Sequence, residues 1–173
     1  MKTEYDCLMF RVPLLLLLCS TVLSAQSIPA RPSFENYPAK LIYKGTPAPP
    51  KLDQDERSFR TGIRKGAKSE VQFAGHYTVP EFGCGTGCSD FYVVDSITGK
   101  VYDGFPISDL PGQWLEKQTG HLPERIRFIP SSRLLKIVGC PYERDCGYYD
   151  YVMEDDKGLK LVRKWLLPKE FQD

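Results

Sequence analysis

Histidine is nearly absent from this chain, with only His76 and His121 among 173 residues. No H-E-x-x-H pair, G-x-S-x-G elbow, phosphate-cradling glycine loop or dinucleotide fingerprint occurs either. The chemistries that depend on those arrangements therefore have no sequence support. Charge imbalance is missing as well: 23 Lys and Arg stand against 22 Asp and Glu, a formal net charge of +1. No basic block or aromatic-interleaved patch marks a nucleic-acid surface, and no cationic amphipathic helix marks a membrane surface. Long hydrophobic runs are lacking too. The one apolar run, Leu14 to Leu18 continued by Val22 and Leu23, is too short for a transmembrane helix, which needs roughly 20 residues.

That run reads instead as a secretory leader. Arg11 precedes it, and Leu23-Ser24-Ala25 offers a small-residue cleavage site before Gln26. Glu4 and Asp6 are out of place at a leader's positive end, so Met9 is an alternative start. Leu18, ahead of Cys19, is not the small residue a lipoprotein signal uses. The expected organisation is a signal peptide over 1–25, a proline-rich extended arm over 26–51 and a single β-rich domain over 52–173. A periplasmic or secreted location follows, with no stable membrane anchor after leader cleavage.

Four cysteines remain beyond the leader, Cys84, Cys88, Cys140 and Cys146. An even number in an exported chain points to disulfides. Three connectivities exist. Local pairs close short loops worth about 2 kcal/mol each, whereas cross-pairing closes loops of roughly 50 to 60 residues worth about 4 kcal/mol each. Glycine and turn residues around each pair favour Cys84–Cys88 and Cys140–Cys146, but spacing alone does not choose. The C-x3-C and C-x5-C spacings depart from zinc patterns and from the C-x-x-C of reactive thiols. No metal or cofactor is expected.

Alternation supplies the strands. Val71, Phe73, Gly75, Tyr77 and Val79 share one parity, and Gln72, Ala74, His76 and Thr78 share a smaller or more polar one. Phe91 to Val94 forms a second strand, Asp95 to Lys100 a type I turn closed by Gly99, and Val101 and Tyr102 pair back. Arg125–Ile129 with Leu134–Val138, and Tyr148–Met153 with Leu159–Trp165, make two more hairpins. Tyr149, Tyr151 and Met153 are expected inward, Tyr148 and Asp150 outward. Leu41, Ile42 and Tyr43 would add an edge strand to an otherwise extended, weakly ordered arm. Asp53 and Glu56 spell a capping box for one short helix reaching about Lys65, with Gly66 as its stop. The fold class is mainly β: antiparallel hairpins forming an open or partial propeller-like sheet or an irregular sandwich, with one short N-terminal helix.

Gly104 to Gly120 is broken by prolines and glycines, yet carries Phe105, Ile107, Leu110, Trp114 and Leu115, too apolar for an ordinary solvated loop. It either tucks over the core or presents a surface to a partner. The candidate binding set is Phe105, Ile107, Ser108, Asp109, Leu110, Trp114 and His76. Tyr142, Tyr148, Tyr149 and Tyr151, with Trp114 and Trp165, could add a recognition surface.

At FAGHYTVPEFGCGTGC and DSITGKVYD the chain resembles a group of small exported bacterial proteins with an FAGxY strand, a paired-cysteine loop and a D-x-x-T-G-x-V-Y hairpin. The resemblance covers Arg57 to Asp103 well and the remainder loosely. It implies an exported, mainly β protein and no particular reaction. In size, leader and hairpin organisation the chain is also similar to periplasmic immunity proteins that block cell-wall-degrading amidases of type VI secretion. That similarity implies an inhibitory loop, for which Phe105 to Gly112 is the expected segment. The leading reading is a non-enzymatic, disulfide-stabilised module that binds another protein, such as a cell-wall-degrading enzyme, as its inhibitor. The alternatives are a small hydrolase or carbohydrate-acting enzyme using His76 with a carboxylate, and a purely structural accessory domain.

Overall fold

β-branched and aromatic residues at alternating positions assemble nine strands of the described residues into one open antiparallel sheet. This is a computed structural model, and it describes residues 30–54, 58–118 and 123–172. The expected leader and His121 lie outside those residues. The strands are β1 (Tyr77–Thr78), β2 (Glu81–Gly85), β3 (Cys88–Asp95), β4 (Val101–Asp103), β5 (Ile107–Ser108), β6 (Ile126–Arg127), β7 (Leu134–Pro141), β8 (Gly147–Glu154) and β9 (Gly158–Leu166), with helices α1 (Arg60–Gly66) and α2 (Gly112–Gln118). β3 is the spine of one half, flanked by β1 and β2 on one side and by β4 and β5 on the other. β7 and β8 are the spine of the second half, with β6 and β9 outside them. The two-residue β5 joins the halves: Ser108 is opposite Cys88 on one side and Cys140 on the other.

Strand parity decides the layers. Phe91 and Val93 of β3, Ile107 of β5, Leu135 and Ile137 of β7, and Tyr149 and Met153 of β8 form one cluster with Phe73 and Tyr77. The neighbouring positions Tyr92 and Val94 of β3 pack under Ile63 of α1. Val138 and Cys140 of β7 pack with Trp114 and Leu115 of α2. Both halves therefore share an inner core, and each carries a helix on its outer face. Every fully buried Leu, Ile or Phe in those layers contributes about 1.5–3 kcal/mol relative to its exposed state.

Six local expectations give way to tertiary contacts. The expected strand over Val71–Val79 survives only as β1, and FAGHY is a tight turn leading into it: Phe73 and Tyr77 exchange backbone hydrogen bonds of 3.0 and 2.9 Å, and Ala74 and Gly75 take φ of 47° and 85°. The turn is wedged between the arm and the β6–β7 loop, for Tyr43 N donates to Gly75 O and Gly75 N donates to Pro130 O. A Cβ on Gly75 would lie 2.1 Å from Leu41 O, so the close approach itself needs glycine. The arm is strapped down rather than weakly ordered. Pro38 bridges Ser132, and Ala48 N and Lys51 N donate to Ser96 O and Gly99 O. Leu41 to Tyr43 make no strand. Helix α1 starts at Arg60 with Phe59 as its N-cap, so Asp53 does not cap it; Glu56 lies outside the described residues. Finally, Asp150 is 2% exposed instead of facing solvent, because Arg31 of the arm covers it and pairs with it at 2.5 Å. Tyr148 is half-buried against the ring of Trp165.

The expected Asp95 turn forms as read. Asp95 Oδ1 accepts from Ile97 N and Thr98 N, its Oδ2 accepts from Thr98 Oγ1, and Gly99 has φ 75°. No helix among the described residues is long and apolar enough to cross a membrane.

Candidate functional site

The segment after β4 enters the sheet instead of looping out from it. Ile107 is fully buried, Leu110 and Trp114 are 5% and 3% exposed, and the Trp114 ring packs on Trp165 and Phe171. These three side chains belong to the core in this fold. Ser108 is half-buried in the middle of the sheet. Asp109, also half-buried, is fixed by Arg125, whose Nε donates to Asp109 Oδ1 at 2.5 Å; Arg125 Nη1 donates to Ser89 Oγ, and Asp109 N donates to Gly87 O. This network braces the tip of the β2–β3 hairpin against β5.

The cysteines form the local pairs, Cys84–Cys88 and Cys140–Cys146. CGTGC is a hairpin tip with Thr86 and Gly87 as the turn, both cysteines lying at strand ends. The two stapled hairpins bracket β5 from either side. His76 sits in the FAGHY turn, half-buried, with its ring 4.1 Å from that of Tyr77 and its carbonyl accepting from Ser96 N. The carboxylate of Asp95 is committed to its own turn. The structure does not bring His76 together with Phe105 and its neighbours in one cavity.

Phe105 has a different setting from the rest of its segment. It is half-buried and is the hub of an aromatic group: its ring lies 5.2 Å from Phe91, 5.5 Å from Tyr151 and 5.6 Å from Tyr142, the last pair stacked at 27°. Tyr142 belongs to the β7–β8 loop that Cys140–Cys146 closes. In that loop Tyr142, Glu143 and Asp145 have φ of 55°, 59° and 46°, left-handed backbone that costs roughly 1–3 kcal/mol at each non-glycine residue. The bonds holding the loop in this shape are the disulfide, Tyr142 N donating to Pro106 O, and Tyr149 Oη donating to Asp145 O. The result is a large aromatic side chain left 61% exposed.

Tyr142 stands at the rim of an open cleft of about 460 Å³ between the halves, lined also by Tyr102, Phe105, Tyr151, Lys157 and Leu159. Burial, then the neighbouring Tyr142, pushes the Tyr151 hydroxyl up to about 12, so it remains a protonated donor at neutral pH. The cleft lining contains no histidine, cysteine or serine. It offers ring faces for apolar contact, a phenol donor, the carboxylate of Asp103 and the cation of Lys157. The sequence signal for Tyr142 and Tyr151 was their membership of the tyrosine cluster. Nothing in the sequence linked that cluster to Tyr102, Lys157 and Leu159, which arrive from β4 and from the β8–β9 hairpin. Compared with family models, curated proteins and solved structures, the chain matches none.

Proposed function

We propose that this chain is an exported, disulfide-stabilised module that acts by binding another protein, with Tyr142 and the cleft beside Phe105 and Tyr151 as its contact surface. The observation that carries this reading is the β7–β8 loop. A strained backbone, clamped by a disulfide, presents one exposed tyrosine over an aromatic cleft. Backbone strain persists where surrounding structure over-determines it, and it concentrates at binding and catalytic sites. Tyrosine is among the side chains that dominate binding energy at protein interfaces. The two disulfides fit an oxidising compartment. The first partner class to test is a cell-wall-degrading enzyme of the envelope, which the protein would inhibit.

The experiment is capture from envelope extract with the oxidised protein and with Tyr142→Ala, followed by an assay of cell-wall hydrolysis with and without each. The expected result is a stoichiometric partner retained by the wild type and lost, or weakened at least about tenfold, in Tyr142→Ala. The hydrolytic activity of that partner falls on binding. Equal recovery of the same proteins by both, or recovery of none, overturns the proposal. Tyr142→Ala is expected to fold with a loss of about 0.5–1.5 kcal/mol, since it forfeits the ring stack on Phe105 and no buried side chain, and thermal unfolding checks it.

A further inference from the structure

Cations that the sequence gathers into one stretch also meet on the arm side of the molecule. Between positions 40 and 70 lie eight of the 23 Lys and Arg and only four of the 22 acidic residues. The arm folds alongside the residues that follow α1, bordering an open recess of about 460 Å³ whose lining includes Ile42, Lys44, Lys68 and Glu70. A second recess of about 300 Å³, beside Pro47 to Pro50, adds Arg64 and shares Pro47 and Lys68 with the first. Lys44, Arg64, Lys65 and Lys68 are exposed and make no ion pair among the described residues. Lys40 is 3.8 Å from Asp155, with its side chain 90% exposed. Beside these cations two consecutive aliphatic side chains stand out, Leu41 at 77% exposure and Ile42 at 43%.

We infer that this face binds reversibly to an anionic lipid surface. A single exposed leucine needs no explanation, but an adjacent pair amid unpaired cations matches what a lipid–water interface selects. Aliphatic groups enter the headgroup boundary while Lys and Arg meet the phosphates. A groove for an acidic peptide would recess its apolar residues, whereas Leu41 projects outside the recess and Ile42, on its wall, stays 43% exposed. The projection is held rigidly, because Ala39 N donates to Ser131 O just before it and Tyr43 N donates to Gly75 O just after it. Ordering entropy is therefore already spent before contact. The excess of cations is visible along the chain, but its union with Leu41 and Ile42 on one face is not, because the cations divide between the arm and a helix of seven residues.

The test is co-sedimentation of the oxidised protein with vesicles of phosphatidylcholine alone and with vesicles in which a third of the lipid is phosphatidylglycerol. Binding is expected to the anionic vesicles only, to weaken at high salt as screening requires, and to fall at least about tenfold in Lys44→Glu/Lys68→Glu. Leu41→Ser/Ile42→Ser is expected to lose most of it at unchanged charge. Thermal unfolding of both variants checks that they fold. No sedimentation with either vesicle, or equal sedimentation with both, overturns the inference. So does binding to soluble poly-glutamate that needs Lys44 and Lys68 but is indifferent to Leu41 and Ile42, which would assign the face to an acidic peptide.

Discussion

Asp150 shows how one side chain from a distant segment can reverse an expectation drawn from strand parity. On β8 it falls on the face away from Tyr149 and Met153, and alternation alone sends it to solvent. Arg31 instead donates to its Oδ1 through Nε and Nη2 and also to Tyr149 O at 2.8 Å, leaving the Asp150 side chain 3% exposed. Breaking such a pair leaves one buried charge uncompensated. Arg31→Ala is expected to lose about 3 kcal/mol in urea unfolding, the lower end of the range because Arg31 keeps some solvent, and Arg31→Met/Asp150→Leu to recover most of it. Asp90 offers a test of the opposite sign. Burial, with Asp103 adding to it, raises its carboxyl above the usual range. The folded state then holds the proton more tightly than the unfolded one, so this group's contribution is greatest when protonated and is lost as pH rises through the raised value. Asp90→Asn should flatten that decline and be more stable than the wild type at neutral pH, as read by denaturation across mildly acidic pH.

At the scale of elements, β5 carries more than its two residues suggest. Ile107 fills the centre of the inner core, and a Cβ on Gly139 would lie 2.4 Å from Ser108 O, so the strands meet there without spare room. Ile107→Ala is expected to cost about 2–5 kcal/mol. Removing the Cys140–Cys146 bond by a double serine substitution should cost about 2 kcal/mol by the chain-entropy account; it should also weaken partner binding, because the strained backbone of Tyr142 loses its clamp. Denaturation midpoints and the Tyr142-dependent capture assay separate the two effects. The hairpins β6–β7 and β8–β9 and the Asp95 turn were legible because periodicity and turn chemistry are local. β5 was not. Its neighbours on both sides come from strands far along the chain, and a two-residue strand between prolines has no periodicity to read. The FAGHY turn misled for the related reason that its alternation was real, but its backbone was bent by contacts with the arm and the β6–β7 loop.

For the molecule as a whole, the arm is structural. From Arg31 to Lys51 it touches β8, the β6–β7 loop, the Gly75 turn and the Gly99 turn in that order, which places it across both halves of the sheet. A chain shortened to begin at Lys44 should lose more stability than the about 3 kcal/mol expected for Arg31→Ala, and hydrogen exchange should show the loss of protection concentrated in β8 and the β6–β7 loop. The mainly β class was readable from composition and alternation, whereas the local disulfides were favoured by the turn residues around them but not fixed until the strands were placed. The candidate cleft was only half readable, since Tyr142, Phe105 and Lys157 reach one place by topology alone. The ion pair between Arg31 and Asp150 spans 119 residues, and that separation sets an order of events. A chain made from its N-terminus presents Arg31 first and Asp150 long afterwards. The stretch from Tyr43 to Lys51 can meet the Gly75 and Gly99 turns as soon as they emerge, whereas Arg31 must wait for β8, so the arm docks from its C-terminal end towards its N-terminal end.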